Sequence, residues 1–574
     1  MRGEPSDTDR RRELLAEVVR LAGTAAPGTL REDIAAYLQR YYAQVELADL
    51  VERSPQDLAG GAMSLWQFGQ RRTPGETRVR VFNPGSAGEG WQSSHTIVEI
   101  VNDDMPFLVD SVTMEVNRHG LTQHLIIHPI VTVRRSADGE RLGLAPIDGE
   151  AAATAAATES MIHAEVDRII DVAERDALEA DLSRVLGDVR AAVDDWQVMV
   201  ARMLALADEA TAAKLPLEPM VVAEGVAFLR WLVAGHFTFL GYRCSDLEVE
   251  GDQPMLRVTP GTSVGILRQP QAGSISAASV PLPPAVLEYA RRPELVAVTK
   301  ATTRATVHRA GYLDTISIKR FDALGKVCGE HRFIGLFTSS AYRASPLEIP
   351  VIRRKVATVI ERAALPPGSA AGKALADVLE AYPRDELFQT TDEDLLRTAL
   401  AILHLNDRQR FRLFVRRDPF ENFVSCLVFV SRDIYTTELR RKWESVLELA
   451  CNGTASDFEV NLSDWMLARV RIVVRTHTGH IPPLDVVALE ASLAAISRRW
   501  TDELRVALIV AEGEAPGNAS YRQFVDSFPA SYRDEVTAQR AVKDIALLRK
   551  LAGASRLALS LFQAGDDATG RLHL

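Results

Sequence analysis

The segment from His95 to Arg135 constrains the fold of this chain more than any other part of the sequence. It begins as a strand pattern whose side chains alternate between two faces, with Ile97, Glu99 and Val101 on one face and Val98 and Ile100 on the other. A polar turn follows, then apolar residues at helical spacing, and then Gly120, a residue type that commonly ends helices. A second apolar strand closes the segment. This order of strand, turn, helix and strand predicts a helix packed against a sheet in an α+β fold.

The polar turn of this segment holds the best candidate ligand-binding residues, which are Asn102, Asp103, Asp104, Met105 and Pro106. Pro106 suits the first turn of the predicted helix, where a missing N–H costs nothing. Backbone N–H groups at a helix N-terminus suit a carboxylate, and the side chains of Asp103 and Asp104 suit an ammonium group. The alternative is that one of the two aspartates only caps the helix.

The whole unit resembles the first half of an ACT domain, a βαββαβ module that commonly binds amino acids. The resemblance implies an amino-acid effector at the 102–106 turn. A second turn of similar chemistry, with Arg417 and Asp418 before Pro419, lies in a segment that reads strand, strand, helix, strand, strand. That segment resembles a second ACT module of altered connectivity. We therefore include Arg417 and Asp418 among the predicted effector-binding residues.

Length and composition restrict the class of protein. A chain of 574 residues exceeds one hydrophobic core, which predicts about three to five domains. The net charge of −11 argues against nucleic acid and anionic membrane surfaces as partners. No stretch reaches the roughly 18 uncharged apolar residues of a transmembrane helix, and the first residues lack the apolar core of a signal peptide. The four cysteines are far apart and form no CxxC pair, which indicates reduced thiols. The expected location is the cytoplasm.

Changes of hydrophobic period divide the chain into segments, because a period near 3.6 marks helices and a period of two marks strands. The predicted architecture is multidomain α+β, with repeated ACT-like βαββαβ modules, a PAS-like mixed sheet and intervening helical segments. The segments are a helical one at 1–62, an ACT-like module at 63–172, a helical segment at 173–237, an ACT-like or PAS-like α+β module at 238–345, a helical linker at 346–406, an ACT-like module at 407–478, a helical segment at 479–552 and the start of a further α+β module at 553–574. Two half-strands, RLALSLFQ and RLHL, end the sequence without a turn or partner, which suggests that the chain stops within a domain.

Several stretches resemble the large bacterial NAD-specific glutamate dehydrogenases, whose subunits are much longer than this chain. The matching stretches are NDDMPFLVDSV (102–112), FLRWLVAGHFTFLGYR (228–243), TVHRAGYLDTISIKRFD (306–322), FIGLFTSSAYRASPLEIPVIRRKV (333–356), YPRDELFQ (382–389) and RLFVRRDPFENFVSCLVFVSRDIYTTELR (412–440). They occur in the order found in the family, so the chain is identified as a member. The resemblance implies that this region precedes a core that converts glutamate and NAD to 2-oxoglutarate, ammonia and NADH, and that the subunits form homo-oligomers.

The motifs of that dehydrogenase core are absent from this sequence. It contains no GxGxxG dinucleotide fingerprint and no glycine-rich lysine motif of the kind that the family uses for glutamate. We therefore predict no catalytic, metal-binding or cofactor-binding residues, with NAD serving the parent enzyme only, and an inactive chain. The expected function is the N-terminal regulatory and oligomerisation region of such an enzyme, present as a fragment. The alternative is a free-standing ACT-type amino-acid-binding or scaffold protein without catalytic activity.

Three weaker motifs are better explained by structure than by chemistry. GTSVG at 261–265 matches a nucleophile elbow, but Pro260 precedes it and no helical pattern follows, so we expect a loop. His124 and His128 lie on a strand-like stretch, which places them about 13 Å apart on one face, too far to share a metal ion. GSAAGKA at 368–374 is one residue short of a P-loop and lacks its Ser or Thr, so we expect it to open a helix.

Overall fold

The computed structural model divides the chain into two compact units, Met1–Glu361 with Leu379–Asp392 and Arg362–Val378 with Glu393–Leu574. It describes residues 6–24, 30–85, 90–145, 156–250, 253–268, 279–281, 287–288, 291–292, 294–366, 368–405, 411–462, 467–477, 480–551, 562–563 and 572–573. Within these residues, no helix has both the length and the apolar composition needed to cross a membrane.

The first unit opens with four helices and a six-stranded antiparallel sheet. The helices are α1 (Asp7–Thr24), α2 (Arg31–Tyr41), α3 (Leu47–Val51) and α4 (Pro55–Phe68). The strands are β1 (Arg78–Phe82), β2 (Thr96–Asp103), β3 (Gln123–Ile127), β4 (Ile130–Arg135), β5 (Arg141–Leu144) and β6 (Ala156–Val166). Their order is β1-β2-β6-β4-β5, and β3 also pairs with β6. The long strands β2 and β6 therefore form the centre of the sheet.

Helices cover both faces of this sheet. On one face, Val98 and Ile100 pack with α5 (Leu108–Arg118) and α6 (Val172–Asp194). On the other face, Val101 packs with α1, α2 and α4. The alternation predicted for the first strand is therefore confirmed, and its apolar residues are buried on both sides because each face has its own helical layer. Helix α6 packs on this sheet, although the sequence places it in a separate helical segment beginning at residue 173.

A second antiparallel sheet follows within the first unit, after α7 (Trp196–Ala212), α8 (Pro219–Trp231) and a π-helical turn at Leu232–His236. Its strands are β7 (Phe237–Glu250), β8 (Gln253–Val258), β9 (Val264–Gly265), β10 (Ser279–Pro281), β11 (Val296–Arg304), β12 (Tyr312–Phe321) and β13 (Val327–Phe337). The order is β10-β8-β7-β13-β12-β11, with β9 also paired to β7. Every pairing described in this sheet is antiparallel, so the sheet expected between 238 and 345 is present but is not mixed in strand direction. Its likeness to a PAS or ACT module stays a prediction.

Helices follow in chain order from residue 339 to 405, over the segment expected to be a helical linker at 346–406 and, in addition, a short stretch before it. They are α9 (Ser339–Arg343), α10 (Ile352–Ala363), α11 (Ala370–Ala381), α12 (Arg384–Gln389) and α13 (Asp392–Leu405). Helix α11 begins just after Ser369, whose hydroxyl accepts a hydrogen bond from Gly372 N at 3.1 Å. The GSAAGKA motif thus opens a helix, as expected. The GTSVG motif also meets its expectation, since it ends in the two-residue strand β9 and no helix follows in the described residues to 268.

The second unit contains a four-stranded antiparallel sheet. Its elements are β14 (Arg412–Arg417), β15 (Phe423–Ser431), α14 (Thr437–Cys451), β16 (Gly453–Asn461), β17 (Leu467–Thr476) and α15 (Val486–Ile496). The strand order is β14-β15-β17-β16, and Trp443 and Leu447 of α14 pack on Cys426 and Val428 of β15. The predicted order of strand, strand, helix, strand and strand is confirmed.

The second unit continues with α16 (Trp500–Glu512), α17 (Glu514–Phe524), α18 (Ala530–Glu535) and α19 (Ala538–Leu551). Leu504 and Leu508 of α16 pack with Ala541 and Ile545 of α19. The final strands are β18 (Phe562–Gln563) and β19 (Leu572–His573), which pair antiparallel with each other. The prediction of two half-strands without a partner is therefore wrong for these residues, and the rest of 553–574 lies outside the described part of the chain.

Candidate functional site

The turn at 102–106, predicted to bind an effector, has a different local structure from the one expected. Strand β2 does not break at Asn102 but continues to Asp103, because both residues pair with β6. Helix α5 begins at Leu108, so Pro106 precedes the helix instead of lying in its first turn. The residue before the helix is Phe107, in a left-handed conformation with φ of 73° and without a side-chain cap. Neither Asp103 nor Asp104 caps the helix, so that alternative is wrong.

Asp103 is held by arginines from distant parts of the sequence. Its carboxylate accepts hydrogen bonds from Arg72 Nη2 at 2.6 Å, Arg190 Nη1 at 2.7 Å and the backbone N–H of Gly75 at 2.9 Å. Burial alone would raise the pKa of Asp103, but the hydrogen bonds from Arg72 and Arg190 bring it below its ordinary value. The carboxylate is therefore ionised and already neutralised by two guanidinium groups.

The rest of the predicted turn has no comparable concentration of charge. Asn102 is fully buried, and its side-chain oxygen accepts hydrogen bonds from Thr77 Oγ1 at 2.8 Å and from Arg190. Asp104 and Pro106 are exposed, whereas Met105 packs against the core beneath α5. Effector binding at this turn stays a prediction, but one of its two aspartates already has strong partners within the fold.

The second predicted turn, at Arg417 and Asp418, closes the hairpin between β14 and β15. It therefore joins two strands, unlike the strand-to-helix turn it was compared with. Asp418 is buried, accepts a hydrogen bond from Asn422 N at 3.1 Å, and has a pKa raised by burial to about 6. Arg417 Nη2 donates to the carbonyl oxygens of Ile481 at 2.6 Å and Pro482 at 3.0 Å. Both side chains have local structural partners, and ligand contact here stays a prediction.

The two histidines of β3 and the loop after it have different hydrogen-bond partners. His124 Nε2 lies 2.7 Å from Asp167, and His128 Nε2 lies 2.5 Å from Ser160 Oγ. The two imidazoles thus have separate partners on the neighbouring strand and the segment that follows it.

One group of side chains between α5 and α6 has the spacing of metal ligands. Glu115, His119 and Asp181 bring their ligand atoms within 4.8 Å of one another. However, Arg118 donates to Glu115 at 2.9 Å and to Asp181 at 2.8 Å, and Arg184 donates to Asp181 at 3.1 Å. These guanidinium groups already supply the positive charge that a metal ion would bring, so the group is explained by ion pairing.

A cleft of about 290 Å³ opens between the N-terminal helices and the first sheet. We call it the Arg53 cleft, and its charged or ionisable lining residues, apart from the tyrosines, are Glu52, Arg53, Asp57, His95, His163 and Glu165. Aromatic side chains of Tyr41, Tyr42 and Trp91 complete its wall. The sequence did not suggest this cleft, since its residues come from four separate stretches of the chain. The available signal was a pair of polar residues, His163 and Glu165, inside the apolar strand β6.

Glu165 is the central anion of the Arg53 cleft. Its side chain is 4% exposed and forms a two-point ion pair with Arg53, whose Nη2 lies 2.9 Å away and whose side chain is 29% exposed. His95 Nδ1 approaches the same carboxylate at 3.2 Å. Burial opposes ionisation of Glu165, but the neighbouring His163 and Arg53 hold its pKa below the ordinary value.

His163 lies at the floor of the cleft, 2% exposed, between two carboxylates. Its Nδ1 is 3.7 Å from Glu99 and its Nε2 is 3.7 Å from Glu165. Burial alone would lower the pKa of His163, but the two carboxylates raise it above the ordinary value. Nδ1 is buried and has no hydrogen-bond partner among the described residues.

Comparison with known proteins assigns four parts of the chain to glutamate dehydrogenase. The matching family models are the glutamate dehydrogenase ACT1 domain at 37–182, helical motif 1 at 349–408, the ACT2 domain at 412–501 and helical motif 2 at 507–551. The ACT1 match contains β1 to β6 together with the Arg53 cleft, and the ACT2 match contains β14 to β17. The class of protein is thus an α+β chain built from glutamate dehydrogenase ACT domains and helical motifs.

Curated relatives carry the assignment further. The chain is 39% identical over 545 residues to the NAD-specific glutamate dehydrogenase of Halomonas elongata. This alignment covers 94% of the present chain and 34% of the relative. The chain is 36% identical over 537 residues to the NAD-specific glutamate dehydrogenase of Pseudomonas aeruginosa, covering 94% of this chain and 33% of the relative. The chain belongs to the family of large NAD-specific glutamate dehydrogenases, and it spans about a third of the length of the curated relatives it matches.

Proposed function

We propose that this chain is the regulatory and oligomerisation region that precedes the catalytic core of a large NAD-dependent glutamate dehydrogenase. The parent reaction is the oxidation of L-glutamate by NAD, with water, to 2-oxoglutarate, ammonia and NADH. This region supplies no reacting group to that chemistry. It binds a small effector, forms contacts between subunits, and works in the cytoplasm.

The observation that carries this proposal is the kind of family model that matches. All four matches are ACT domains or helical motifs, and together they account for most of residues 37–182 and 349–551. The sequence also contains no GxGxxG fingerprint to hold a dinucleotide pyrophosphate at a helix N-terminus. Hydride transfer requires a cofactor held against the substrate carbon, so a chain without that holder acts on the reaction from outside the reacting centre.

The direct test is an assay of the purified chain with L-glutamate and NAD, followed by absorbance of NADH. We expect no rate above the blank, while the full-length enzyme of a relative, assayed beside it, gives turnover. Sedimentation of the same chain over a range of concentrations measures whether it assembles without a core. Glutamate-dependent NADH formation by the chain alone would overturn the proposal, and a strictly monomeric chain would remove its oligomerisation part.

A further inference from the structure

The Arg53 cleft combines charges of opposite sign in a space suited to a small molecule. Its volume of about 290 Å³ lies just below the range for drug-sized ligand pockets, roughly 300–1,000 Å³, and suits a smaller molecule. Arg53 uses two N–H groups on Glu165 and keeps a partly exposed edge, on which further N–H donors remain. That edge is a positively charged donor surface that opens into the cleft.

Two carboxylates give the same cleft its negative side. Glu52 is exposed, and its carboxylate has no hydrogen-bond or ion-pair partner among the described residues. Asp57 accepts hydrogen bonds from Gln92 N at 3.0 Å and from Ser54 Oγ at 2.6 Å, which leaves acceptor capacity on a group with about four lone-pair sites. A ligand in the cleft therefore meets an anion-binding edge and a cation-binding edge at once.

The floor of the cleft is formed by His163, whose side chain is almost fully buried. Its Nδ1 faces the buried Glu99 at 3.7 Å, and Glu99 is not part of the cleft wall. Its Nε2 faces Glu165 at 3.7 Å, so the ring lies against the carboxylate that Arg53 holds at the cleft wall.

From these contacts we infer that the Arg53 cleft binds a small zwitterion, the chemistry of a free amino acid, with its carboxylate on Arg53 and its ammonium group on Glu52 and Asp57. The inference rests on the proposed regulatory function and gives it a site separate from the 102–106 turn. The ligand bridges two layers, because Glu52 and Arg53 lie between α3 and α4 and Asp57 lies in the first turn of α4, whereas His163 and Glu165 lie on β6. Binding therefore tightens the packing of the N-terminal helices on the first sheet.

The test is calorimetric titration of the purified chain with glycine, L-glutamate and L-arginine, each up to about 20 mM. Butyrate and n-butylamine serve as probes that carry only one of the two charges. We expect saturable binding of at least one amino acid, and binding of each single-charge probe that is weaker by about tenfold, because each loses one charge-assisted contact. The Glu52→Gln variant should weaken amino-acid binding by about tenfold, and the matched variant Glu46→Gln, an exposed glutamate outside the cleft, should not change it.

A second measurement keeps the test independent of the variants. Imidazole nitrogen resonances of the chain, recorded with and without the amino acid, should show a change for His163. Three outcomes would overturn the inference: no saturable binding of the three amino acids, equal binding by the single-charge probes, or equal weakening by the two glutamate variants. None of these bears on the NADH assay, and NADH formation by the chain would overturn the proposed function whatever the cleft binds.

Discussion

Two neighbouring glycines of α4 give the sharpest test of how the N-terminal helices pack on the first sheet. A methyl group built on Gly60 would lie 2.4 Å from Cβ and 2.5 Å from Cγ of Trp91. A methyl group on Gly61 would lie 3.6 Å from the Trp91 ring and 3.8 Å from Cε1 of His163, which is ordinary van der Waals contact. The same substitution, one residue apart, should therefore have opposite effects.

The magnitude follows from two opposing contributions. Alanine is favoured over glycine in a helix interior by about 1 kcal/mol, and this gain applies to both positions. At Gly60 the methyl group meets the first atoms of the Trp91 side chain, which cannot move without the backbone, and such overpacking costs about 1–3 kcal/mol. Gly61→Ala should therefore raise the free energy of local opening of α4 by about 1 kcal/mol relative to the unsubstituted chain. The free energy of opening of the Gly60→Ala variant should be lower than that of the Gly61→Ala variant by about 1–3 kcal/mol.

Hydrogen exchange of the α4 amides, read by mass spectrometry of peptides, is the suitable assay. It reports the free energy of local opening and needs no two-state unfolding of a chain with more than one unit. Each variant is compared with the unsubstituted chain under the same conditions. If Gly60→Ala protected α4 as well as Gly61→Ala does, the contact of Trp91 with Gly60 would be wrong, and with it the wall of the Arg53 cleft.

Further predictions concern buried ionisable groups. Arg72→Leu should destabilise the first unit by about 1.5–3 kcal/mol in urea unfolding, because Asp103 and Glu159 each lose a charge-assisted hydrogen bond but keep a second guanidinium partner, Arg190 and Arg135, whereas loss of the exposed Arg20 should leave the midpoint unchanged. The pKa of His163 is raised in the fold, so protonated His163 stabilises the first unit fully below the ordinary pKa of about 6.5. This stabilisation is lost as the pH rises through the higher folded pKa, and His163→Gln should flatten the dependence of unfolding free energy on pH over that interval. The pKa of Asp418 is raised from 3.8 to about 6, so ionisation destabilises the fold as the pH rises through this interval, by at most roughly 3 kcal/mol. Asp418→Asn should therefore raise the unfolding midpoint of the second unit at pH 7.5 and leave it unchanged near pH 3, and an equal effect at both values would contradict the argument.

The alternation of the first strand was predictable because it is a local property. Val98 and Ile100 on one side and Val101 on the other follow directly from a period of two. The end of that strand was not predictable in the same way. Asn102 and Asp103 favour a turn locally, but β6 pairs with both of them and Arg72 and Arg190 neutralise the carboxylate. Partners that are 31 and 87 residues away in sequence override the local preference.

The Arg53 cleft was unpredictable for a related reason. Its ion pair joins Arg53 to Glu165 across 112 residues, and no spacing rule connects them. Sequence patterns identify groups that lie close along the chain, such as the aspartates of the 102–106 turn. They do not identify groups that tertiary packing brings together. For the Arg53 cleft, the local signal in the sequence was the presence of polar residues within the apolar strand β6.

Two of the arginine–carboxylate contacts in the first unit, at Arg72 and at Arg53, differ in a way that bears on where an effector binds. Arg72 is fully buried between Asp103 and Glu159, so a ligand carboxylate would have to displace one of these anions and enter a closed space. Arg53 holds Glu165 with its inner edge, while its side chain stays 29% exposed, so a ligand can be added without breaking that pair. Breaking a buried pair costs about 3–5 kcal/mol, which is comparable to the whole binding free energy at a millimolar dissociation constant, about 4 kcal/mol. A small effector is therefore expected to bind at the partly exposed Arg53 of the cleft and not at the buried Arg72 behind the 102–106 turn.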